Sequence, residues 1–172
     1  MIPGTRGYAE KAAELVRFYE ELPFVEKHRT ELREPGRALH PSPAIEWLDD
    51  SLPALAAVCA LGRRFDAIMM TAVWMHLDEA ERRQAMPIVA ALLAPGGALV
   101  LSLRHGPVPA GRRMFDVRGE ETIALATGTG LKPVLEAEVE SIQAVNRAAG
   151  VTWTLLGFRA PGDAAPRAPT AP

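Results

Sequence analysis

Two long apolar runs limit what this chain can fold into. Phe65 to Val73 (FDAIMMTAV) and Ala98 to Leu103 (ALVLSL) consist almost wholly of apolar residues. Strands of this kind are buried on both faces, as in a parallel sheet covered by helices. Between them, Asp78 to Leu93 has apolar residues at helical spacing and opens with Asp78 and Glu81 placed as a capping box. The order strand, helix, strand predicts an α/β fold.

The same patterns predict further elements. Short apolar stretches predict three more strands: Ala44 to Leu48, Leu131 to Val139 and Val151 to Phe158. Periodic stretches predict three more helices: Thr5 to Leu22, Ser51 to Ala60 with Pro53 in its first turn, and Glu120 to Thr127. Pro87 lies inside the long helix and predicts a kink or a restart there. Gly128-Thr129-Gly130 follows a helix and precedes a strand, which favours a helix C-cap and turn.

Composition restricts the class of protein. The 172 residues suit one domain, which we place at 1–160, and the Pro- and Ala-rich 161–172 is predicted to be a disordered tail. A net charge of −2 gives no nucleic-acid signature, since a phosphate-binding surface needs excess Lys and Arg. No apolar run reaches the roughly 20 residues of a membrane span. Cys59 is the only cysteine, so a reducing, cytoplasmic setting is expected and a buried, inert thiol is the default.

Three stretches in order resemble the middle of the class I S-adenosylmethionine-dependent methyltransferase fold. They are AIEWLDDSLP (Ala44 to Pro53), FDAIMMTAVWMHL (Phe65 to Leu77) and LLAPGGALVLSLRHG (Leu92 to Gly106). The closing pair, LKPVLEAEVE and VTWTLLGFR, is similar to the terminal antiparallel strands of that family. The resemblance covers roughly 8–159. It implies a Rossmann-like three-layer sheet and S-adenosyl-L-methionine as the cofactor.

The resemblance also implies where ligands would lie. Ligands of open parallel sheets bind outside the carboxyl ends of the strands. Asp49 or Asp50 would then accept hydrogen bonds from the adenine or ribose. The loop after the FDAIMM strand would line the cofactor site with Thr71, Ala72, Val73 and Trp74, with Trp74 as a wall against water. Arg104 and His105, with Arg112, Arg113 and Arg118, could hold an anionic substrate, and the methyl acceptor is a small molecule or unknown.

Each of these residues has a structural alternative. Asp49 and Asp50 lie before a predicted helix and can serve as its cap. His76 is the weak candidate for a catalytic base, because an imidazole titrates near neutrality. The alternative for His76 is a purely structural role. The alternative for the arginines is that they lie in a solvated loop. Trp47 and Trp153 are predicted core residues, and no His or Cys has a partner at metal-ligand spacing, so no metal is expected.

One unit of the family pattern is missing. A glycine-rich strand–turn–helix and its following strand need about 30 residues or more. The interval Val25 to Glu34 (VEKHRTELRE) has ten positions and no glycine. This predicts an internal deletion, a shortened sheet of about five strands and impaired cofactor binding. A non-catalytic interaction module and a truncated gene product remain alternatives, and an exposed strand edge predicts self-association.

Overall fold

A computed structural model describes residues 36–162. The predicted helix over 5–22, the predicted deletion at 25–34 and the tail from 163 lie outside this range. The described residues fall into two compact units. Residues 36–49 with Ala110–Arg112 form the first, and 50–109 with 113–162 form the second. In the first unit, residues 36–39 are helical and Trp47 is half-buried against Gly36.

The second unit contains the sheet and its helices. The helices are α1 (Ala56–Ala60), α2 (Glu79–Ala91), α3 (Gly119–Gly128) and α4 (Ala144–Ala148), with a 3₁₀ turn at Trp74–His76. The strands are β1 (Phe65–Met70), β2 (Leu93–His105), β3 (Lys132–Glu140) and β4 (Thr152–Arg159). The alternation of strand and helix confirms the predicted α/β class.

The four strands make one mixed sheet in the order β1-β2-β4-β3. β1 and β2 are parallel, with Ile68 opposite Leu99, and α2 forms the crossover. β4 is antiparallel to both β2 and β3. The predicted antiparallel closing pair is therefore present, and the sheet is a shortened Rossmann-like one. Among the described residues, no strand pairs with the edge of β1 that faces away from β2.

The core lies on the helix-covered face of the sheet. Leu99, Leu101 and Leu103 of β2 and Leu156 and Phe158 of β4 have at most 1% of their surface exposed. Met86 and Val89 of α2, Ala126 of α3 and the 3₁₀ residues Trp74 and Met75 belong to the same cluster. The opposite face is much less covered, and Met69 on β1 is 75% exposed. The prediction that this strand is buried on both faces is thus wrong.

Two other sequence predictions need correction, and of the kink or restart predicted at Pro87 the restart is absent. Ala44 to Leu48 forms no strand, because Pro41 and Pro43 precede it and no neighbouring strand pairs with it. Helix α1 begins at Ala56, after turns at 52–54, so Pro53 lies outside it. Helix α2 runs through Pro87 without a restart. The helix tolerates Pro87 because flanking residues such as Met86 and Val89 are fully buried, and packing compensates for a lost hydrogen bond.

Helix ends are encoded locally. Asp78 caps α2: its carboxylate accepts from Glu81 N–H at 2.9 Å, and the Glu81 side chain accepts from Asp78 N–H at 2.8 Å. The capping-box prediction is confirmed. At the end of α3, Gly130 has φ +88°, its N–H donates to Thr127 O, and Leu131 N–H donates to Ala126 O. These two bonds form a Schellman motif, which confirms the predicted C-cap and turn.

The Schellman motif gives a stability prediction. Gly130→Ala places a Cβ on a left-handed backbone and should destabilise the domain by about 1 kcal/mol. Gly128→Ala lies inside the helix with open space around the new Cβ, so it should stabilise by roughly 0.5–1 kcal/mol. Urea denaturation of both variants measures the difference. Equal effects of the two substitutions would contradict the assigned cap.

Candidate functional site

The candidate site lies at the carboxyl ends of β1 and β2. These strands are parallel, so the loop from Thr71 and the loop from Gly106 leave the same edge of the sheet. A third segment, residues 113–117, joins them, because Phe115 N–H donates to Met75 O at 2.8 Å. The sequence places most of the predicted site residues in these three segments.

The loop after β1 is tied to β2. Ala72 has a left-handed backbone (φ 55°), and its N–H donates to the Ser102 hydroxyl at 2.9 Å. Ser102 is only 6% exposed, so this bond is sheltered from water. Thr71 is exposed and Val73 is half-buried. The donor that Ala72 would offer to a ligand is therefore used inside the protein.

Trp74 lies in the core rather than at the surface. Its exposed fraction is 0%, so it is not a wall between a ligand and water and offers no surface to a partner. Trp74 begins the 3₁₀ turn Trp74–His76, in which both Trp74 and Met75 are buried. The indole Nε1 has no hydrogen-bond partner among the described residues. The structure thus corrects the role of a wall against water that the sequence suggested for this residue.

The two aspartates belong to different units. Asp50 accepts from Ser51 N–H through one carboxylate oxygen and from Val58 N–H through the other, each at 2.8 Å. Both oxygens therefore hold the segment around α1, which is the capping interpretation. Asp49 is exposed in the first unit. Cys59, on α1, is exposed, so the expectation of a buried thiol is wrong: α1 buries no residue.

His76 and Arg113 form one network with the α2 cap. The His76 Nδ1 lies 2.7 Å from Arg113 O, and since a carbonyl only accepts, Nδ1 carries the proton and Nε2 is the basic nitrogen of the neutral ring. Arg113 donates back to His76 O and contacts Asp78 at 2.9 Å and Glu81 at 2.8 Å. Its charge is compensated by two carboxylates. Arg113 is therefore a structural link and not part of an anion site.

Arg104 and His105 end β2 on opposite faces. Arg104 donates to Pro107 O at 2.8 Å, within its own loop. The His105 Nε2 lies 2.7 Å from the Thr154 hydroxyl, and Nδ1 lies 3.5 Å from the Asp116 carboxylate. The Asp116 carboxylate can accept from Nδ1, and the tautomer of the ring determines whether Nε2 accepts from or donates to the Thr154 hydroxyl. Thr154 is only 5% exposed, so this contact is sheltered from water.

Sequence reasoning missed Ser102, Thr154 and Asp116. Ser102 and Thr154 are the polar members of apolar strand runs, and a buried polar side chain needs a partner. That signal was available in ALVLSL and VTWTLL. Asp116 has no comparable signal, because it stands in an irregular loop and reaches His105 only through the fold. Arg112 lies in the first unit, and Arg118 precedes α3 as its N-cap. Trp153 is half-buried at the margin of the core.

The described residues do not fit an S-adenosylmethionine site. In the loop after β1, the Ala72 N–H is already bonded to the Ser102 hydroxyl. Asp50 uses both oxygens for backbone donors. Over residues 36–162, no three His, Cys, Asp or Glu side chains gather as a metal site, and no helix is long and apolar enough to cross a membrane.

Sequence comparison gives no relative. No protein-family model matches the chain, and no curated protein matches it. Solved structures do match. An O-methyltransferase family protein from Burkholderia thailandensis aligns with 76% of this chain at 18% identity and a TM-score of 0.54. A SAM-dependent methyltransferase from Methanosarcina mazei aligns with 78% of this chain and 79% of its own length, at 14% identity and a TM-score of 0.54.

A third match has a bound cofactor product. The N-methyltransferase NodS from Bradyrhizobium japonicum WM9 in complex with S-adenosyl-L-homocysteine aligns with 74% of this chain and 61% of its own, at 24% identity and a TM-score of 0.49. Another NodS structure is covered over 52% of its length, and the Burkholderia protein over 40%. The chain thus spans about half of those proteins. Its fold is that of the class I methyltransferases.

The cap of α2 supports the site loops and can be tested. Asp78→Ala removes the cap and one partner of Arg113, so it should lower the free energy of unfolding by about 1–2 kcal/mol. Glu79→Ala is the control, because its exposed ion pair with Arg83 contributes at most about 0.5 kcal/mol. Urea denaturation at low and high salt gives both values. If Glu79→Ala lowered the free energy of unfolding as much as Asp78→Ala, the cap and the ion pairs of Arg113 would contribute no more than an exposed ion pair.

Proposed function

We propose that this chain derives from an S-adenosylmethionine-dependent methyltransferase acting on a small-molecule acceptor, and that alone it binds the cofactor weakly or not at all. The main observation behind this proposal is that no described strand pairs with the outer edge of β1. The fold resemblance supports the methyltransferase origin. The engaged Ala72 N–H and Asp50 carboxylate support the loss of binding. The single cysteine, Cys59, is compatible with a cytoplasmic location.

In this proposal the chain lacks a segment of backbone at the cofactor site and not a reactive side chain. The interval 25–34 has no glycine, whereas a close approach of backbone to ligand needs one. We propose that an internal deletion there removed the backbone segment against which the cofactor would bind. His76 and His105 both lie at this end of the sheet, where His76 contacts Arg113 O and His105 contacts the Thr154 hydroxyl. Positioning the cofactor, and not acid–base chemistry, is what the chain lacks.

Titration calorimetry tests the proposal directly. S-adenosylmethionine titrated into the full chain should give no saturable heat at micromolar concentrations, because the Ala72 N–H and the Asp50 carboxylate are already bonded within the protein. A NodS preparation titrated with the same stock serves as the control for the ligand. A micromolar dissociation constant for this chain would refute the proposal.

The gene itself separates two explanations. A truncated gene product would have a glycine-rich strand–turn–helix encoded in the genomic DNA near the codon for Glu31. If such a segment is encoded there, the complete protein is expected to be an active methyltransferase. A clean junction, with this chain detected in cells, would favour a protein that functions without the cofactor.

The second candidate function is an interaction module that binds through the β1 edge. β3, the other edge strand, has Lys132, Pro133 and three glutamates, which are the residues that block strand addition. β1 has only one charged residue, Asp66. An edge without such protection favours uptake of a strand. Self-association is the form that this would take in purified protein without a partner.

Light scattering tests the self-association. The chain should show a mass that rises with concentration, and Ala67→Lys on β1 should suppress the rise, because an edge lysine opposes strand pairing. Leu135→Lys on β3 is the matched control and should leave the rise unchanged, since that edge already has charges. A strictly monomeric chain at all concentrations, or equal effects of both lysines, would contradict the proposed edge.

A further inference from the structure

An apolar groove lies at β1, along the edge that no strand within residues 36–162 pairs with. Its volume is about 300 Å³. Ile68 and Met70 of β1 form one side, and Val89 of α2 lies behind them. Leu55 and Val58, from the segment at α1, form the other side. All of the lining residues are apolar, so water in this groove makes few hydrogen bonds and its displacement is favourable.

The groove and the edge together have the shape of a strand-binding slot. A strand beside β1 would pair its backbone with this edge, and every second side chain would point to the covered face. Those side chains would enter the groove between β1 and the α1 segment. Backbone pairing supplies affinity in such complexes, and pockets for alternate side chains supply specificity. The slot therefore selects a strand with apolar residues at alternate positions.

Positive charge stands at one end of this slot. A second groove, of about 340 Å³, shares Leu92 with the first and is lined by Arg63 and Arg64. Both arginines directly precede β1, so they lie at its Phe65 end. A carboxylate on the incoming strand would be favoured there by charge complementarity. Asp66, the second residue of β1, lies at the same end and offsets part of this positive charge.

A second copy of β1 fits the slot poorly. Its Ile68 and Met70 already pack against the core of their own subunit, and Met70 is only 7% exposed. Such a copy would bring hydrogen bonds but no unpacked apolar side chains to the groove. Self-association through the edge is thus weak, and a foreign strand with unpacked side chains displaces it.

We propose that β1 and its groove bind an extended segment of another protein, with alternating apolar residues and acidic residues at the Arg63–Arg64 end. This rests on the interaction-module candidate above. It needs neither S-adenosylmethionine nor methyl transfer. Binding adds a fifth strand to the sheet at β1.

Fluorescence anisotropy with synthetic peptides tests the slot. The probes are labelled Asp-Asp-Val-Thr-Val-Thr-Val-Thr and the same residues in reverse order, which together allow both strand directions. One of them should bind the full chain saturably. Replacing its central Val and Thr with proline should weaken binding about tenfold or more, because proline donates no backbone hydrogen bond.

Protein variants locate the binding. Leu55→Asp puts a charge into the groove wall and should weaken binding about tenfold. Val145→Asp, on the exposed surface of α4, is the matched control and should bind like the unchanged protein. Arg63→Glu with Arg64→Glu should weaken the acidic peptide and strengthen a peptide with Lys-Lys in place of Asp-Asp. A folding defect alone would not produce that exchange of preference. Urea denaturation verifies that each variant is folded.

Several outcomes would overturn the slot. They are no saturable binding of either peptide, full binding by the proline peptide, and full binding by Leu55→Asp. A stable dimer that the peptide does not dissociate would assign the edge to a second copy instead. Calorimetry with S-adenosylmethionine is a separate readout, so failure of the slot and failure of the proposed loss of cofactor binding are distinguishable.

Discussion

The second unit of the protein depends on β2. Among the strands that the structure describes, β2 joins the two parts of the sheet, because it pairs in parallel with β1 and antiparallel with β4. Its covered face supplies Leu99, Leu101 and Leu103 to the core, and full burial of a leucine stabilises by about 1.5–3 kcal/mol. Its other face supplies Ser102, which fixes the loop after β1. One strand therefore determines both the hydrophobic core and the shape of the candidate site.

The two edges of the sheet differ in a way that the fold alone does not require. β3 has charged residues and a proline, which is typical of an edge strand that is exposed to water. β1 has almost none, and an apolar groove runs beside it. Such an edge is normal for a central strand with neighbours on both sides. The composition of β1 is thus that of an interior strand, which agrees with a sheet that has lost part of its original extent.

Periodicity located the elements that the core depends on. The runs at 65–73 and 98–103, the capping box at Asp78 and the turn at Gly130 were predictable, because each depends on residues close in sequence. Ala44 to Leu48 was not, since a strand needs a partner and that partner is a long-range fact. Trp74 and Cys59 were misplaced for a related reason. The burial of these two side chains depends on whether other elements of the fold cover their segments. That cannot be predicted from hydrophobicity alone.

The candidate site shows the same division between local and long-range information. Which residues lie at the carboxyl ends of the strands was predictable from the order of the elements. How their polar groups are used was not: Ala72 bonds Ser102, Asp50 bonds Val58, and Arg113 binds the acids of α2. Each of these groups finds a partner inside the protein, so the loop end of the sheet is largely satisfied without a ligand. Within residues 36–162, the outer edge of β1 instead has no strand partner and has an apolar groove beside it, and the proposed binding of a strand would use both.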